Sequence, residues 1–145
     1  MHVGRGSPKG IPQGLISIMT AYTRTPSVSA TVNVLRTRGH GASYEPSTPV
    51  TVAGYHGIEF DGQIVGAKNV DHSGHFFVPF SPSSHAAGYF PDEYPVYGDV
   101  FRILVLDVRG RTVVVYVENV GLPAAQFPAF LAKADLILEN LRFPR

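Results

Sequence analysis

The sequence predicts an α+β domain in which one twisted antiparallel sheet is flanked by helices and the C-terminal helix packs on a central hairpin. Two runs, 100–108 and 112–118, are dense in β-branched and aromatic residues and flank Arg109-Gly110, a pattern typical of a hairpin. A helical pattern of apolar residues follows from residue 127. Locally connected strands followed by a helix favour an α+β arrangement.

The first strand of this hairpin is apolar on both faces, because successive side chains of a strand point to opposite sides. The two apolar sets are Leu104, Leu106 and Val108 on one face and Phe101, Ile103 and Val105 on the other. A strand of this kind lies in the middle of a sheet that is covered on both sides. We therefore expect a layer over each face of the hairpin.

The stretch from residue 127 carries apolar residues at three- and four-residue steps, which form one side of an α-helix. They are Phe127, Phe130, Leu131, Ala134, Leu138 and Leu141. Pro128 suits a first helical turn, where its missing N–H would have no intrahelical partner, so the helix is expected to begin near residues 126–128. Pro144 is expected to end it.

Two elements are predicted near the start of the chain. Residues 15–22 alternate apolar and polar side chains around Ile16 and Ile18, which indicates a strand. Residues 28–36 have the β-branched content of a strand and also one apolar helical face, so both interpretations stay open. We favour a helix, because Ser27 is available as its N-cap. The helical face consists of Val28, Thr31, Val32 and Leu35.

The middle of the chain predicts a loop and three short strands. Residues 38–49 are rich in Gly, Ser and Pro and indicate a loop. A strand over 50–54, a turn over 54–57 and a half-exposed strand over 58–65 form a second hairpin. A further strand is predicted over 74–80, at a sheet edge, since its proline cannot donate to a neighbouring strand.

Length and composition limit the function classes. The chain has 145 residues, a hydrophobic content of 44% and a net charge of +1. These values fit one domain, which we place at residues 14–145, after a flexible arm rich in Gly, Pro and basic residues at 1–13. The small net charge argues against nucleic-acid binding. The absence of cysteine excludes disulfides, thiol catalysis and iron–sulfur clusters.

Membrane and export signals are not expected in this sequence. No apolar run approaches the roughly 18 residues that a membrane-spanning helix needs. Residues 1–13 lack the apolar core of a signal peptide. The chain is therefore expected to stay where it is made.

The first candidate site is a long aromatic loop over residues 81–99. Long ordered loops in compact domains often carry function, and tyrosine joins an apolar ring to a polar hydroxyl. The candidate binding residues are Phe80, Tyr89, Phe90, Tyr94 and Tyr97. Two interpretations stay open, namely packing of the loop onto the sheet and a groove for a ligand or protein partner.

The second candidate site is a group of histidines, His72, His75 and His85. Imidazoles are suitable ligands for zinc, nickel or copper, and the alternative is that these residues are ordinary polar loop residues. The sequence contains no motif typical of hydrolases or nucleotide-binding proteins, since there is no Gly-x-Ser-x-Gly elbow, P-loop or dinucleotide fingerprint. Apart from a divalent metal at these histidines, no cofactor is expected.

Several segments carry a recognisable pattern. They are 48–57, with its Pro-Val-Thr-Val strand and glycine turn, 77–80, 101–108, 127–131 and 141–143. Together they resemble bacterial cell-envelope domains of uncharacterised role, which are similar in turn to the Mog1/PsbP-like fold. The resemblance implies a twisted antiparallel sheet between helices, a helix before the Pro-Val-Thr-Val strand, and a location in the cell envelope or outside the cell. It implies no catalytic residues.

The functional hypothesis is a non-enzymatic domain that binds a small ligand or a protein through the aromatic loop and the adjoining sheet. The alternative is a metal-binding or metal-dependent protein that uses His72, His75 and His85. A third hypothesis is a homodimer formed through an exposed sheet edge.

Overall fold

The computed structural model describes residues 14–20, 27–38, 42–65, 98–119 and 122–143. These residues form a six-stranded antiparallel sheet and two α-helices. The strands are β1 (Leu15–Thr20), β2 (Ala42–Tyr44), β3 (Thr48–Val52), β4 (Tyr55–Ile64), β5 (Val100–Val108) and β6 (Arg111–Glu118), and the helices are α1 (Val28–Arg38) and α2 (Phe127–Leu138). The order across the sheet is β1-β6-β5-β4-β2, and β3 also pairs with β4. This is the α+β fold that the sequence predicts.

The predicted central hairpin is confirmed as β5 and β6. Arg109 and Gly110 join the strands with φ of 57° and 78°. Positive φ at both positions is typical of the two-residue turn whose twist matches that of the strands. The Gly110 N–H also donates to Asp107 Oδ1 at 2.7 Å, which holds the turn closed.

The two faces of this hairpin are covered by different helices, as expected for a strand that is apolar on both sides. Phe101, Ile103 and Val105 belong to a cluster with α1. Leu104, Leu106 and Val108 belong to a cluster with α2. The sheet is therefore the middle layer between the two helices.

The helical interpretation of residues 28–36 is confirmed by α1. The Ala30 N–H donates to Ser27 Oγ at 3.2 Å, which is the N-cap bond expected of that serine. Thr31, Val32 and Leu35 are buried and Val28 is half-buried. The predicted face is thus the one that packs on the sheet.

The second hairpin and the segment before it differ from their predictions. The first strand of the hairpin is Thr48–Val52, whereas residues 50–54 were predicted. The turn consists of Ala53 and Gly54 alone, with φ of 51° and 83°, so the strand predicted from residue 58 begins at Tyr55 instead. The segment 38–49, predicted as a loop, contains the three-residue strand β2. So short a strand has no periodicity to recognise; it is held by pairing with β4 and by the Tyr44 ring, which lies 5.8 Å from the Phe60 ring.

The C-terminal helix begins as predicted but ends earlier. A 3₁₀ turn over Ala124–Gln126 leads into α2, and Pro128 lies in its first turn. The helix ends at Leu138, not at Pro144, because the Leu141 N–H turns back to the Leu138 carbonyl at 3.1 Å and Asn140 Nδ2 donates to the Leu136 carbonyl at 2.8 Å. The following chain packs on the sheet, where the Phe143 ring meets the Tyr55 ring at 5.3 Å.

Three of the predictions fall partly or wholly outside the described residues. The strand predicted at 15–22 is confirmed as far as Thr20. The arm at 1–13 and the strand at 74–80 lie in segments that the structure does not describe.

Candidate functional site

All the site residues predicted from the sequence lie between residues 66 and 97, outside the described part of the chain. They are the aromatic residues Phe80, Tyr89, Phe90, Tyr94 and Tyr97 and the histidines His72, His75 and His85. Both sites stay predictions. In the described ranges there is no group of three or more His, Asp or Glu residues arranged to hold a metal ion. Nor do those ranges contain a helix that is long and apolar enough to cross a membrane.

Exposed apolar surface in the described residues is concentrated on β1 and α2. Ile18 of β1 is 44% exposed, and Leu136 and Ile137 of α2 are 65% and 58% exposed. A fourth exposed residue, Val65 at 49%, lies elsewhere, just after β4. We call Ile18, Leu136 and Ile137 the β1–α2 strip.

The sheet register places Ile18 on the same side as α2. Ile18 pairs with Val115 of β6, and Val115 belongs to the cluster under α2. Residues directly opposite each other in an antiparallel pair point to the same face. Ile16, two residues earlier, packs against the same cluster. β1 therefore extends the floor on which α2 lies.

One contact shows how α2 lies over that floor. A Cβ at position 14 would overlap the Phe130 ring, so this flank of the helix overlies the start of β1. Ile137 lies seven residues after Phe130, two helical turns later on the same flank. Leu136 lies opposite the buried stripe of α2 and faces away from the sheet.

Among the described strands, β1 lies at one end of the sheet and pairs with β6 alone. In an edge strand, half of the backbone N–H and C=O groups point away from the sheet and can pair with an added strand. Ile18, one of the three exposed apolar residues, lies on this strand.

A charged cluster on β4 and β5 lies on the face of the sheet that α2 covers. Arg102 Nε and Nη2 donate to the two carboxylate oxygens of Asp61 at 2.7 and 2.9 Å, and Glu59 lies 3.7 Å from Arg102 Nη1. The hydrogen bond to Asp61 raises the pKa of Arg102 further above its usual value, against the effect of burial. A guanidinium that donates two hydrogen bonds to one carboxylate is bound strongly to that partner. We therefore regard the cluster as structural.

The α1 side of the sheet holds aromatic residues and buried hydroxyls. Burial raises the pKa of Tyr44 to about 12, and it raises the pKa of Tyr116 well above its ordinary value, with a smaller contribution from Glu118. Arg36 lies over the rings of Tyr44 and Phe60 at 5.5 and 5.4 Å. These phenols stay protonated, so they act as packing groups and hydrogen-bond donors and not as bases.

The sequence contains a signal for the β1–α2 strip, but an ambiguous one. Leu136 and Ile137 are large apolar residues that lie off the buried stripe of α2, and an amphipathic helix places polar residues there. The position of β1 at the sheet edge depends on its pairing with β6, about a hundred residues later, and no local pattern predicts that.

Comparison with known proteins gives no functional assignment. No family model and no curated protein matches the chain. Among solved structures, the chain is similar to the crystal structure of a protein of unknown function from Pseudomonas aeruginosa, with a TM-score of 0.49 and 10% sequence identity, over 95% of this chain and 88% of that one.

Proposed function

We propose that this chain is a non-enzymatic protein-binding domain whose partner docks on the β1–α2 strip. The observation that carries the proposal is the exposure of Ile18, Leu136 and Ile137, each above 40%, on β1 and on the helix that packs on the same face of the sheet. Scattered apolar residues are ordinary on protein surfaces, whereas grouped ones mark interaction sites.

The exposed apolar area of the strip limits the binding free energy that a partner can gain there. Complete burial of a fully exposed Leu or Ile contributes about 1.5–3 kcal/mol. These three side chains are about half exposed, so a partner gains on the order of 3 kcal/mol from them before the cost of association. The strip alone supports only weak binding. Further contacts have to come from the open edge of β1 or from the aromatic loop.

Exposed charged residues of α2 lie beside the apolar ones. Lys133 lies three residues after Phe130 and four before Ile137, so these three residues share one side of the helix. Asp135 and Glu139 lie on the opposite side. All three charged side chains are exposed.

Two finer parts of the proposal come from the sequence. The resemblance to Mog1/PsbP-like domains supports a binding role in the bacterial cell envelope, and an antiparallel sheet between helices is in keeping with it. The aromatic residues Phe80, Tyr89, Phe90, Tyr94 and Tyr97 offer a second surface, for a small ligand or for another part of the same partner.

A peptide-display selection on the full chain tests the proposal. Selected peptides are synthesised and titrated against the wild type and the variants Ile18→Lys and Ile137→Lys. Each variant removes part of the apolar contact, so we expect affinity to fall roughly 5–30-fold. Val65→Lys is the matched control, since it introduces the same charge at an equally exposed apolar residue outside the strip.

The affinities of the three variants show whether the selected peptides bind the strip or another part of the surface. Thermal melts must first show that all three variants are folded. Loss of binding in Ile18→Lys and Ile137→Lys, with binding retained in Val65→Lys, supports the proposal. Selected peptides that bind all three variants with wild-type affinity, or a selection that yields no binder, would contradict it.

A further inference from the structure

Asp61 and Gly62 form an Asp-Gly pair within β4. In such a pair the aspartate can close on the following backbone nitrogen, because glycine has no side chain to obstruct the approach. The Gly62 nitrogen attacks Cγ of Asp61, a C–N bond forms, and the amide proton leaves with the carboxyl hydroxyl as water. A second water then opens the cyclic succinimide. Opening at Cγ restores aspartate, whereas opening at the α-carbonyl gives isoaspartate, whose backbone runs through Cγ.

Packing requires the glycine of this pair. Gly62 lies opposite Tyr44 of β2 and Phe101 of β5. A Cβ at position 62 would overlap the Phe101 ring and lie 3.0 Å from the Ser43 carbonyl oxygen. The Phe101 ring has little room to move, since the residue is 1% exposed within the cluster under α1. A larger residue at position 62 would therefore disturb both neighbouring strands.

Strand β5 holds both of the groups that would react. Arg102 lies opposite Asp61 and donates to both of its carboxylate oxygens, at 2.7 and 2.9 Å, so the oxygen that would have to leave is occupied. The Ile64 N–H donates to the Asp99 carbonyl at 2.9 Å. Backbone donors of a strand alternate between its two neighbours, so the Gly62 N–H, two residues earlier, also points to β5.

Isoaspartate at position 61 is incompatible with this sheet. Asp61 lies between the stretch of β4 that pairs with β3, residues 55–59, and the stretch that pairs with β2, residues 62–64. Isoaspartate lengthens the backbone by one carbon atom, which would displace one stretch from its register along β5. Register determines which side chains of a strand enter each core. A chain modified at this position would therefore not regain the fold.

We infer that Asp61-Gly62 is a site of spontaneous isoaspartate formation, and that Arg102 protects it in the folded protein. Burial alone does not protect the aspartate, since its side chain is 38% exposed and accessible to water. The two hydrogen bonds from Arg102 keep the carboxyl group on β5 and away from the Gly62 nitrogen. Arg102 thus has a chemical role in addition to its structural one.

Incorporation of heavy oxygen tests the inference with the full chain. The protein is incubated at neutral pH in water labelled with heavy oxygen, and the peptide that contains residue 61 is analysed by mass spectrometry after digestion. Each opening of the succinimide incorporates one labelled oxygen, and the wild type in urea gives the unrestrained rate. We expect labelling roughly tenfold or more slower in the folded wild type than in urea, and roughly tenfold faster in folded Arg102→Gln than in the folded wild type.

Three further variants separate protection by Arg102 from stability. Glu59→Gln changes the charge 3.7 Å from Arg102 without removing a bond to Asp61, so the rate should stay at the wild-type value. Leu138→Ala weakens the core under α2, and it should accelerate labelling less than Arg102→Gln although it costs more stability. Arg102→Lys keeps the charge but not the paired hydrogen bonds, and it serves if Arg102→Gln does not fold. It should be labelled faster than the wild type.

Two results would overturn the inference. Labelling of a folded Arg102 variant at the wild-type rate would show that pairing of the strands protects the site without Arg102. A greater acceleration by Leu138→Ala than by the Arg102 variant would show that the reaction requires unfolding of the whole domain. Fast labelling in the Arg102 variant, with slow labelling in Glu59→Gln and Leu138→Ala, supports the inference.

Discussion

The two faces of the sheet are built from the same strands and yet form different cores. Alternate residues of β5 supply Leu104 and Leu106 to the α2 side and Phe101 and Ile103 to the α1 side. The α2 side combines a buried apolar cluster with the charged cluster of Arg102, Asp61 and Glu59. The α1 side includes aromatic rings, and hydroxyl groups of α1, β2 and β6 are buried or half-buried there. Alternate residues of one strand thus contribute to two cores, whose stability responds differently to substitution.

This difference between the two cores shows what stabilises the packing of each helix on the sheet. Directly under α2 stability depends on filling volume, and the charged groups on that face, Arg102, Asp61 and Glu59, pair with one another. On the α1 side it depends as well on whether each buried hydroxyl finds a partner. Tyr44 donates its hydroxyl to the Leu35 carbonyl at 3.2 Å, whereas Thr31 Oγ1 is buried with no hydrogen-bond partner in the described structure.

The largest effect is expected on the α2 side, from Leu138→Ala. Leu138 is 2% exposed, and its truncation leaves a cavity between helix and sheet. We expect a loss of about 2–5 kcal/mol in the free energy of unfolding, measured by urea denaturation. Leu136→Ala is the control in the same helix, because Leu136 is 65% exposed and its truncation should change stability by less than about 0.5 kcal/mol. Equal effects of the two substitutions would show that α2 is rotated differently.

The second prediction is a gain in the free energy of unfolding, from a substitution on the α1 side. Thr31→Val keeps the shape of the side chain and removes the buried, unpartnered hydroxyl of a residue that is only 3% exposed. We expect the variant to be about 1 kcal/mol more stable in urea denaturation, because a buried polar group without a hydrogen bond is costly.

A second threonine of α1 provides the comparison. Thr37 is exposed, and its hydroxyl donates to the Asn33 carbonyl at 2.8 Å, so Thr37→Val should give no such gain. If Thr31→Val is destabilising, then the Thr31 hydroxyl has a bound water or another partner, and the contrast between the two faces is smaller than described.

Elements with a strong local pattern were predictable from the sequence. The β5–β6 hairpin has two long β-branched runs and a turn pair in which Gly110 accepts positive φ. α1 and α2 carry apolar faces at helical spacing, and the predicted residues of both faces are the ones that pack on the sheet. Each of these signals lies within about a dozen residues of sequence, the range in which periodicity is informative.

Features that depend on distant parts of the chain were not predictable. The strands were expected to meander locally, but β1 pairs with β6. Arg102 binds Asp61 from 41 residues away. The strip was missed for the same reason, since periodicity identifies the inner stripe of α2 but not whether Leu136 and Ile137 are covered by another element. The aromatic and histidine sites lie outside the described residues and stay predictions.

The smallest effect is expected at high pH, from the buried phenols of the α1 side. Burial raises the pKa of Tyr44 to about 12, whereas the residue titrates near its ordinary value of 10.0 in the unfolded chain. Between these values the unfolded state releases a proton that the folded state keeps. Stability from this group is therefore fully present below pH 10 and is lost as the pH rises toward 12. Tyr116 contributes in the same direction.

Tyr44→Phe separates this ionisation from the hydrogen bond to the Leu35 carbonyl. Near pH 8 the variant should be less stable than the wild type by roughly 0.5–1.5 kcal/mol, because the bond is lost. Between pH 10 and pH 12 it should lose less stability than the wild type, because it has no phenol to ionise at that position. Urea denaturation at both ends of this range measures the difference. Parallel pH profiles would mean that the Tyr44 hydroxyl is solvated in the folded state, and burial on the α1 face would then not raise its pKa.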